Sequence, residues 1–133
     1  MYAANADVQQ QPAAAAFLES LSERRDVVIC ELMLVEVYLK LRNGRVLRNP
    51  LSAPAAATHC QAFRNNACWT LVETAPVMEE VWKMAARDKF AYRRIIDARL
   101  ALTLCHHGVT EFATTNERGF LDFGFTRVWN PLN

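Results

Sequence analysis

The sequence predicts a single α/β domain in which helices alternate with short strands. Strands are expected at 26–30, 68–72, 109–114 and 126–129, which are short runs rich in apolar residues. Helical patterns lie before and between them. Alternation of this kind predicts a mainly parallel sheet that is covered by helices on both faces.

Each expected helix has a recognisable start or end. Pro12 suits the first turn of the first helix, and Pro76 opens the fourth. Gly44 and Gly108 are good stops just past the second and fifth helices, and Ser52 is a good cap for the third. The expected helices are 13–21, 31–43, 53–66, 77–86 and 92–106.

Length and composition limit the class of protein. The chain has 133 residues, of which 52% are hydrophobic and 22% charged, as in a folded soluble domain. No repeat or linker interrupts it, so one domain is expected over residues 1–133. The formal net charge is only +1, so any contact with nucleic acid must rest on a local basic patch.

The ends and the cysteines indicate the compartment. The first residues lack the basic and apolar segments of a signal peptide, and no apolar run is long enough to cross a membrane. The four cysteines have no spacing typical of a zinc site or a redox pair. A cytoplasmic protein with no membrane contact is therefore expected.

Two acids stand in unusually apolar helical segments. Glu36 lies in the run 32–39, and Asp97 lies in the run 95–102. A helix that is apolar on every side is normally buried, and a buried carboxylate is costly unless it is paired or binds a metal ion. Both acids are therefore candidate metal ligands.

The predicted topology can bring these acids to one place. Sites in parallel α/β sheets form outside the carboxyl ends of the strands, and Glu36 lies within about two turns of such an end. Asn116 follows the strand 109–114, and Asp97 is on the helix that leads into it. Carboxylate oxygens suit Mg²⁺ or Mn²⁺. The alternative is an ion pair of Asp97 with Arg93, one turn earlier, and the residues alone leave both open.

The C-terminal part carries a family resemblance. Residues 113–120 read A-T-T-N-E-R-G-F, Gly124 follows, and residues 128–131 read V-W-N-P. This order resembles the end of PIN-domain proteins, and most of all the VapC-type toxins of bacterial toxin–antitoxin systems, whose tails read A-T-x-N-x-x-D-F, Gly and V-x-N-P. The segments 41–50 and 92–108 extend the resemblance over nearly the whole chain.

The resemblance implies a three-layer α/β/α fold and a Mg²⁺- or Mn²⁺-dependent endoribonuclease. Such toxins are usually homodimers inhibited by a cognate antitoxin. Glu36 and Asp97 match the family's metal-binding acids, and Asn116 matches a position that orients water or supports the ligands. Basic residues cluster near the helix that carries Glu36: Lys40, Arg42, Arg45 and Arg48, extended by Arg93. They either contact RNA phosphates or form a cationic helix end.

Two departures from the family pattern motivate an alternative. The family's first, central strand ends in an Asp-Thr-Asn-like motif with a principal metal ligand, and this chain starts just after the corresponding place, which is expected to leave a gap in the sheet. The family's Asp three residues after Asn116 is Gly119 here. Asp7 is one further candidate ligand. The alternative function is a degenerate PIN fold that binds a partner without cleaving RNA.

Overall fold

The computed structural model describes residues 11–133 and confirms an α/β fold with parallel strands. Asp7 lies outside the described residues. All the expected helices and strands are found, most of them shorter at their ends. In chain order they are α1 (Gln11–Leu21), β1 (Val28–Cys30), α2 (Glu31–Leu41), α3 (Ala53–Arg64), β2 (Thr70–Val72), α4 (Met78–Ala85), α5 (Arg94–His106), β3 (Glu111–Ala113) and β4 (Arg127–Trp129).

The strands form two separate parallel pairs. β1 pairs with β2, with Val28 opposite Thr70, and β3 pairs with β4, with Glu111 opposite Arg127. The parallel pairing is as predicted, but within residues 11–133 the two pairs are not joined into one sheet. A groove of about 270 Å³ is lined by residues of both pairs.

Local hydrogen bonds explain where the helices around the site end. α2 ends at Leu41, two residues before the predicted end, because the Leu41 carbonyl accepts from the Leu51 backbone N–H at 2.8 Å. The predicted cap of α3 is confirmed, since Ser52 Oγ accepts from the Ala55 N–H at 3.2 Å. These contacts fix the loop that joins α2 to α3.

The rotation of α2 differs from the sequence expectation. Met33, Leu34 and Val37 are buried, but the side chains of Val35 and Leu39 are 50% and 56% exposed. α2 packs against β1 and α3 on one side, so the apolar residues of its other side face solvent. The helix is therefore not buried all round, which corrects the argument that Glu36 is fully enclosed.

The core joins the helices to β3. Val81 of α4 and Leu104 of α5 are fully buried, and α4 packs on α5. Phe112 of β3 stacks on Phe120 at 4.8 Å between ring centroids. Phe120 ends a short 3₁₀ helix, Glu117–Phe120, which the apolar pattern does not predict. This stacking holds the segment after β3 in place.

None of the helices within residues 11–133 is both long enough and apolar enough to span a bilayer.

Candidate functional site

A cavity of about 340 Å³ lies between α2, α5 and the chain that follows β3. Glu36 of α2, Asp97 of α5 and Asn116 after β3 all line it. The three residues predicted to share one site therefore come together. Much of the remaining lining is apolar, and it includes Met33, Val37, Leu100 and Phe112.

Buried neighbours orient the two acids. On α2, Met33 and Val37 are buried on either side of Glu36 in sequence, so the rotation of the helix is fixed by the core. On α5, Ala98 is completely buried directly after Asp97. Small, closely packed residues leave the helix little freedom to turn. Both acids are half-buried at the cavity rather than enclosed in the core.

The negative charges of Glu36 and Asp97 are unfavourable in this cavity. Burial raises the pKa of Asp97, and the nearby charge of Glu36 raises it further. Arg94 and Lys40 act in the opposite direction on the pKa of Asp97. Two carboxylates that repel each other in a partly desolvated cavity favour the binding of a cation.

Of the described residues that line this cavity, Lys40 is the only basic one. It lies in the last turn of α2, four residues after Glu36. Burial lowers the pKa of Lys40, while the charges of Glu36 and Asp97 act to raise it. The sequence groups Lys40 with the neighbouring arginines, but its spacing of four from Glu36 is the signal that separates it from them.

Asn116 caps the 3₁₀ helix. Its Oδ1 accepts from the Gly119 N–H at 3.3 Å, and its own backbone N–H donates to Thr114 Oγ1 at 3.1 Å. Because the carbonyl oxygen of the side chain serves the cap, its NH₂ group is the end suited to contact water or a substrate. The threonines before Asn116 also line the cavity and were not among the predicted site residues: Thr114 and Thr115.

Gly119 permits this conformation of Asn116. A Cβ atom at position 119 would clash with Asn116 Nδ2 and approach its Cγ to 3.1 Å. A side chain at 119, such as the Asp of the family pattern, therefore requires the Asn116 amide to move. The cap formed by Asn116 therefore requires a glycine at position 119.

The arginines proposed as RNA contacts lie outside the cavity. Arg42 Nη1 donates to the Tyr38 hydroxyl at 3.1 Å, and Arg93 Nε donates to the Tyr92 hydroxyl at 3.2 Å. Of the described residues that line the cavity, none is among the four predicted arginines: Arg42, Arg45, Arg48 and Arg93. All four are exposed. The alternative left open by the sequence was a pair of Asp97 with Arg93, but the arginine whose charge acts on Asp97 is Arg94.

Arg94 connects α5 to the segment that carries Asn116. Its Nη2 donates to Asp122 Oδ1 at 2.7 Å and to the Gly119 carbonyl at 3.4 Å. Its guanidinium also lies 5.2 Å from the ring centroid of Phe123. Arg94 therefore holds the 3₁₀ helix beside the helix that carries Asp97.

The donor set fits a hard divalent cation. Within residues 11–133, no group of three or more His, Cys, Asp or Glu side chains is placed to hold a metal ion. Glu36 and Asp97 line the cavity, and Mg²⁺ commonly binds one or two carboxylates and completes its shell with water and substrate phosphate. The residues present are compatible with a metal that is held loosely until a phosphate joins it.

These features define a class: a parallel α/β protein with two carboxylates converging beyond a strand end, as in PIN domains. No protein-family model matches the chain. Two proteins called Ribonuclease VapC24, from Mycobacterium tuberculosis strains CDC 1551 / Oshkosh and ATCC 25618 / H37Rv, are each 57% identical to it over 132 residues. The match covers 99% of this chain and 91% of each relative. The chain belongs to the VapC-type ribonucleases of the PIN-domain family.

Proposed function

We propose that this chain is a metal-dependent endoribonuclease, the toxin of a bacterial toxin–antitoxin pair, which hydrolyses RNA phosphodiester bonds. The observation that carries the proposal is the convergence of Glu36 and Asp97, from two different helices, on one cavity. The ribonuclease name of the M. tuberculosis relatives, at 57% identity, supports the same reaction.

Glu36 and Asp97 are the residues that would hold the ion, and Mg²⁺ or Mn²⁺ suits their oxygen donors. When bound, such an ion neutralises charge that builds on the phosphodiester and makes water a better nucleophile. The raised pKa of Asp97 supports this assignment, because the carboxylate form of Asp97 is costly in this cavity without a cation.

The other lining residues orient the substrate. The NH₂ group of Asn116 can donate to a phosphate oxygen or to the attacking water, since its Oδ1 is used by the Gly119 N–H. The apolar side chains around the acids limit the access of bulk water and so strengthen charge interactions inside the cavity. These residues provide positioning and charge.

RNA outside the cavity would contact the exposed arginines. Arg42 lies at the end of α2, and Arg45 and Arg48 lie in the loop that follows it. Arg93 lies just before α5, on the other helix of the site. Exposed arginines on these segments can hold phosphates of neighbouring nucleotides and give affinity without base specificity.

Membership of the VapC-type toxins supports three partners: an RNA substrate, a cognate antitoxin and a second copy of the chain. Exposed apolar side chains offer surfaces on which a protein partner can pack, including Val35, Leu39 and Trp82. We place the reaction in the cytoplasm, where RNA and the antitoxin are made.

One observation favours a second function. Within residues 11–133 the site has two candidate acids and no third ligand beside them. A PIN fold whose metal site is too weak to be loaded would act only by binding its partner. Cleavage assays separate the two functions.

The test is RNA cleavage by the purified protein with Mg²⁺, Mn²⁺ or EDTA. We expect cleavage with either metal, none with EDTA, and a loss of at least about 100-fold in Glu36→Gln and Asp97→Asn, since even residues that support metal ligands contribute 10–100-fold. Glu79→Gln, an exposed acid of α4 near Lys83, is the control. Metal-independent cleavage, or full activity of Asp97→Asn, would contradict the proposal.

A further inference from the structure

The charges that line the cavity suggest a role for Lys40 that the proposed function does not include. Among the described residues that line it, the ionisable ones are Glu36, Lys40 and Asp97. Lys40 is half-buried, unlike Arg42, Arg45 and Arg48, which are exposed. A half-buried ammonium group beside two acids needs a reason beyond solubility.

The balance of charge gives that reason. Among the described lining residues, one divalent cation would cancel the charges of Glu36 and Asp97, and Lys40 would add a positive charge. A phosphodiester group carries one negative charge, so the ammonium group of Lys40 favours its entry. Loss of Lys40 removes this attraction from the lining.

The position of Lys40 fits this role better than that of the arginines nearby. Arg42, two residues later, lies 5.8 Å from the ring centroid of Tyr38 and donates to its hydroxyl, outside the cavity. Lys40 follows Glu36 by one helical turn, so both side chains project to the same side of α2. A lysine ammonium with three donors suits a phosphate as a point charge.

We propose that Lys40 contacts the RNA phosphate at the cleavage site and is a substrate-binding catalytic residue of the proposed ribonuclease. The proposal rests on the proposed function. It differs from a structural role, in which Lys40 only offsets the charge of the acids and favours the end of α2. Only the role in phosphate binding predicts a change in the salt dependence of RNA cleavage when Lys40 is lost.

The test compares Lys40→Met, Lys40→Arg and the matched control Lys83→Met. Lys83 also lies in the last turn of a helix, beside Glu80 at 3.2 Å, and it does not line the cavity. The measurements are kcat and KM for RNA cleavage at several salt concentrations, Mn²⁺ binding without RNA by electron paramagnetic resonance, and thermal unfolding.

We expect Lys40→Met to reduce kcat/KM by about 100-fold, as for other lost contacts to developing charge. In Lys40→Met, the slope of log KM against log salt concentration should be smaller by about 0.7, the value for one phosphate contact on a single strand. Mn²⁺ binding should stay the same or become tighter, because a positive charge beside the acids is gone. Lys40→Arg should recover part of the activity and the salt slope.

Two results would overturn the role of Lys40 while the proposed function stands. One is a wild-type enzyme that cleaves RNA with metal while Lys40→Met matches Lys83→Met in activity and salt slope. The other is a loss of Mn²⁺ binding or folding in Lys40→Met that Lys40→Arg repairs without restoring the salt slope. A wild-type protein that neither binds Mn²⁺ nor cleaves RNA would overturn both.

Discussion

Asp97 on α5 has a pKa that is raised first by burial and then by the charge of Glu36 on α2. The two residues lie 61 positions apart in the chain and belong to different helices, yet they line one cavity. Neither burial nor repulsion benefits the folded state. The arrangement is explained if a cation offsets it when the protein works.

Removal of the Asp97 charge should therefore stabilise the metal-free protein. A carboxyl group whose pKa is higher in the folded than in the unfolded state favours folding at low pH, and this contribution is lost as the pH rises through the folded pKa. At pH 7 in EDTA, Asp97→Asn should melt at a higher temperature than the wild type. The difference should vanish near pH 3, where Asp97 is protonated in both states.

Thermal melts at the two pH values check this prediction, and Asp122→Asn is a useful contrast. The Arg94 hydrogen bond lowers the pKa of Asp122, so this acid stabilises the fold above the acid range and loses that effect as the pH falls. A melting temperature of Asp97→Asn at or below that of wild type at pH 7 would show that its charge is not costly.

Gly119→Ala should disturb the site through Asn116. The new Cβ would displace the Asn116 amide and break the cap on the Gly119 N–H, at a cost of about 1 kcal/mol in the free energy of unfolding. Cleavage should fall as well, because Asn116 lines the cavity and its displaced amide changes that lining. Denaturant unfolding and cleavage rates measure the two effects.

Gly44→Ala is the matched control for that change. A Cβ at position 44 would meet only Pro50 Cγ, at an ordinary 3.9 Å. We expect little effect on activity from this variant. If Gly119→Ala were as active and as stable as Gly44→Ala, the cap would have no functional importance.

Arg94→Met should alter two carboxyl groups at once. Its guanidinium donates to Asp122 at 2.7 Å and lowers the pKa of Asp122, and its charge opposes the rise in the pKa of Asp97. Without it, carboxyl resonances in an NMR titration should show both pKa values rising. Melting temperature should also fall, because the tie between α5 and the 3₁₀ helix is lost. Unchanged titration of both acids would refute the arrangement.

The exposed arginines should affect RNA binding uniformly across sequences. A triple change of Arg42, Arg45 and Arg48 to Gln should weaken RNA binding and reduce the salt slope by about 0.7 for each contact that is lost. Arg24→Gln, which removes an exposed arginine paired with Asp26, serves as the control. An identical salt slope in the triple variant and the control would exclude these arginines from the RNA surface.

The fold and the meeting of the acids follow from local patterns. Short apolar strands between helices predict parallel pairing, and the position of polar residues beyond strand ends predicts that Glu36, Asp97 and Asn116 share a site. These are rules about chain direction and burial, which a single sequence carries. The parallel pairing and the shared cavity agree with them.

Other features depend on contacts between distant residues. Val35 and Leu39 are exposed because the rest of the fold covers the other side of α2. The amino-acid composition of the helix does not predict which side is covered. The 3₁₀ helix depends on the stacking of Phe112 on Phe120 and on the missing Cβ of Gly119. The spacing of four from Glu36 indicates Lys40, but the fold determines that the cavity includes Lys40 and none of the neighbouring arginines.

The metal site is tested most directly by Mn²⁺ binding to the metal-free protein, followed by electron paramagnetic resonance. We expect one bound ion in the wild type and in Glu79→Gln, with affinity reduced by more than about 10-fold in Glu36→Gln or Asp97→Asn and abolished in the double variant. Equal Mn²⁺ affinity in the wild type and the double variant would contradict this expectation.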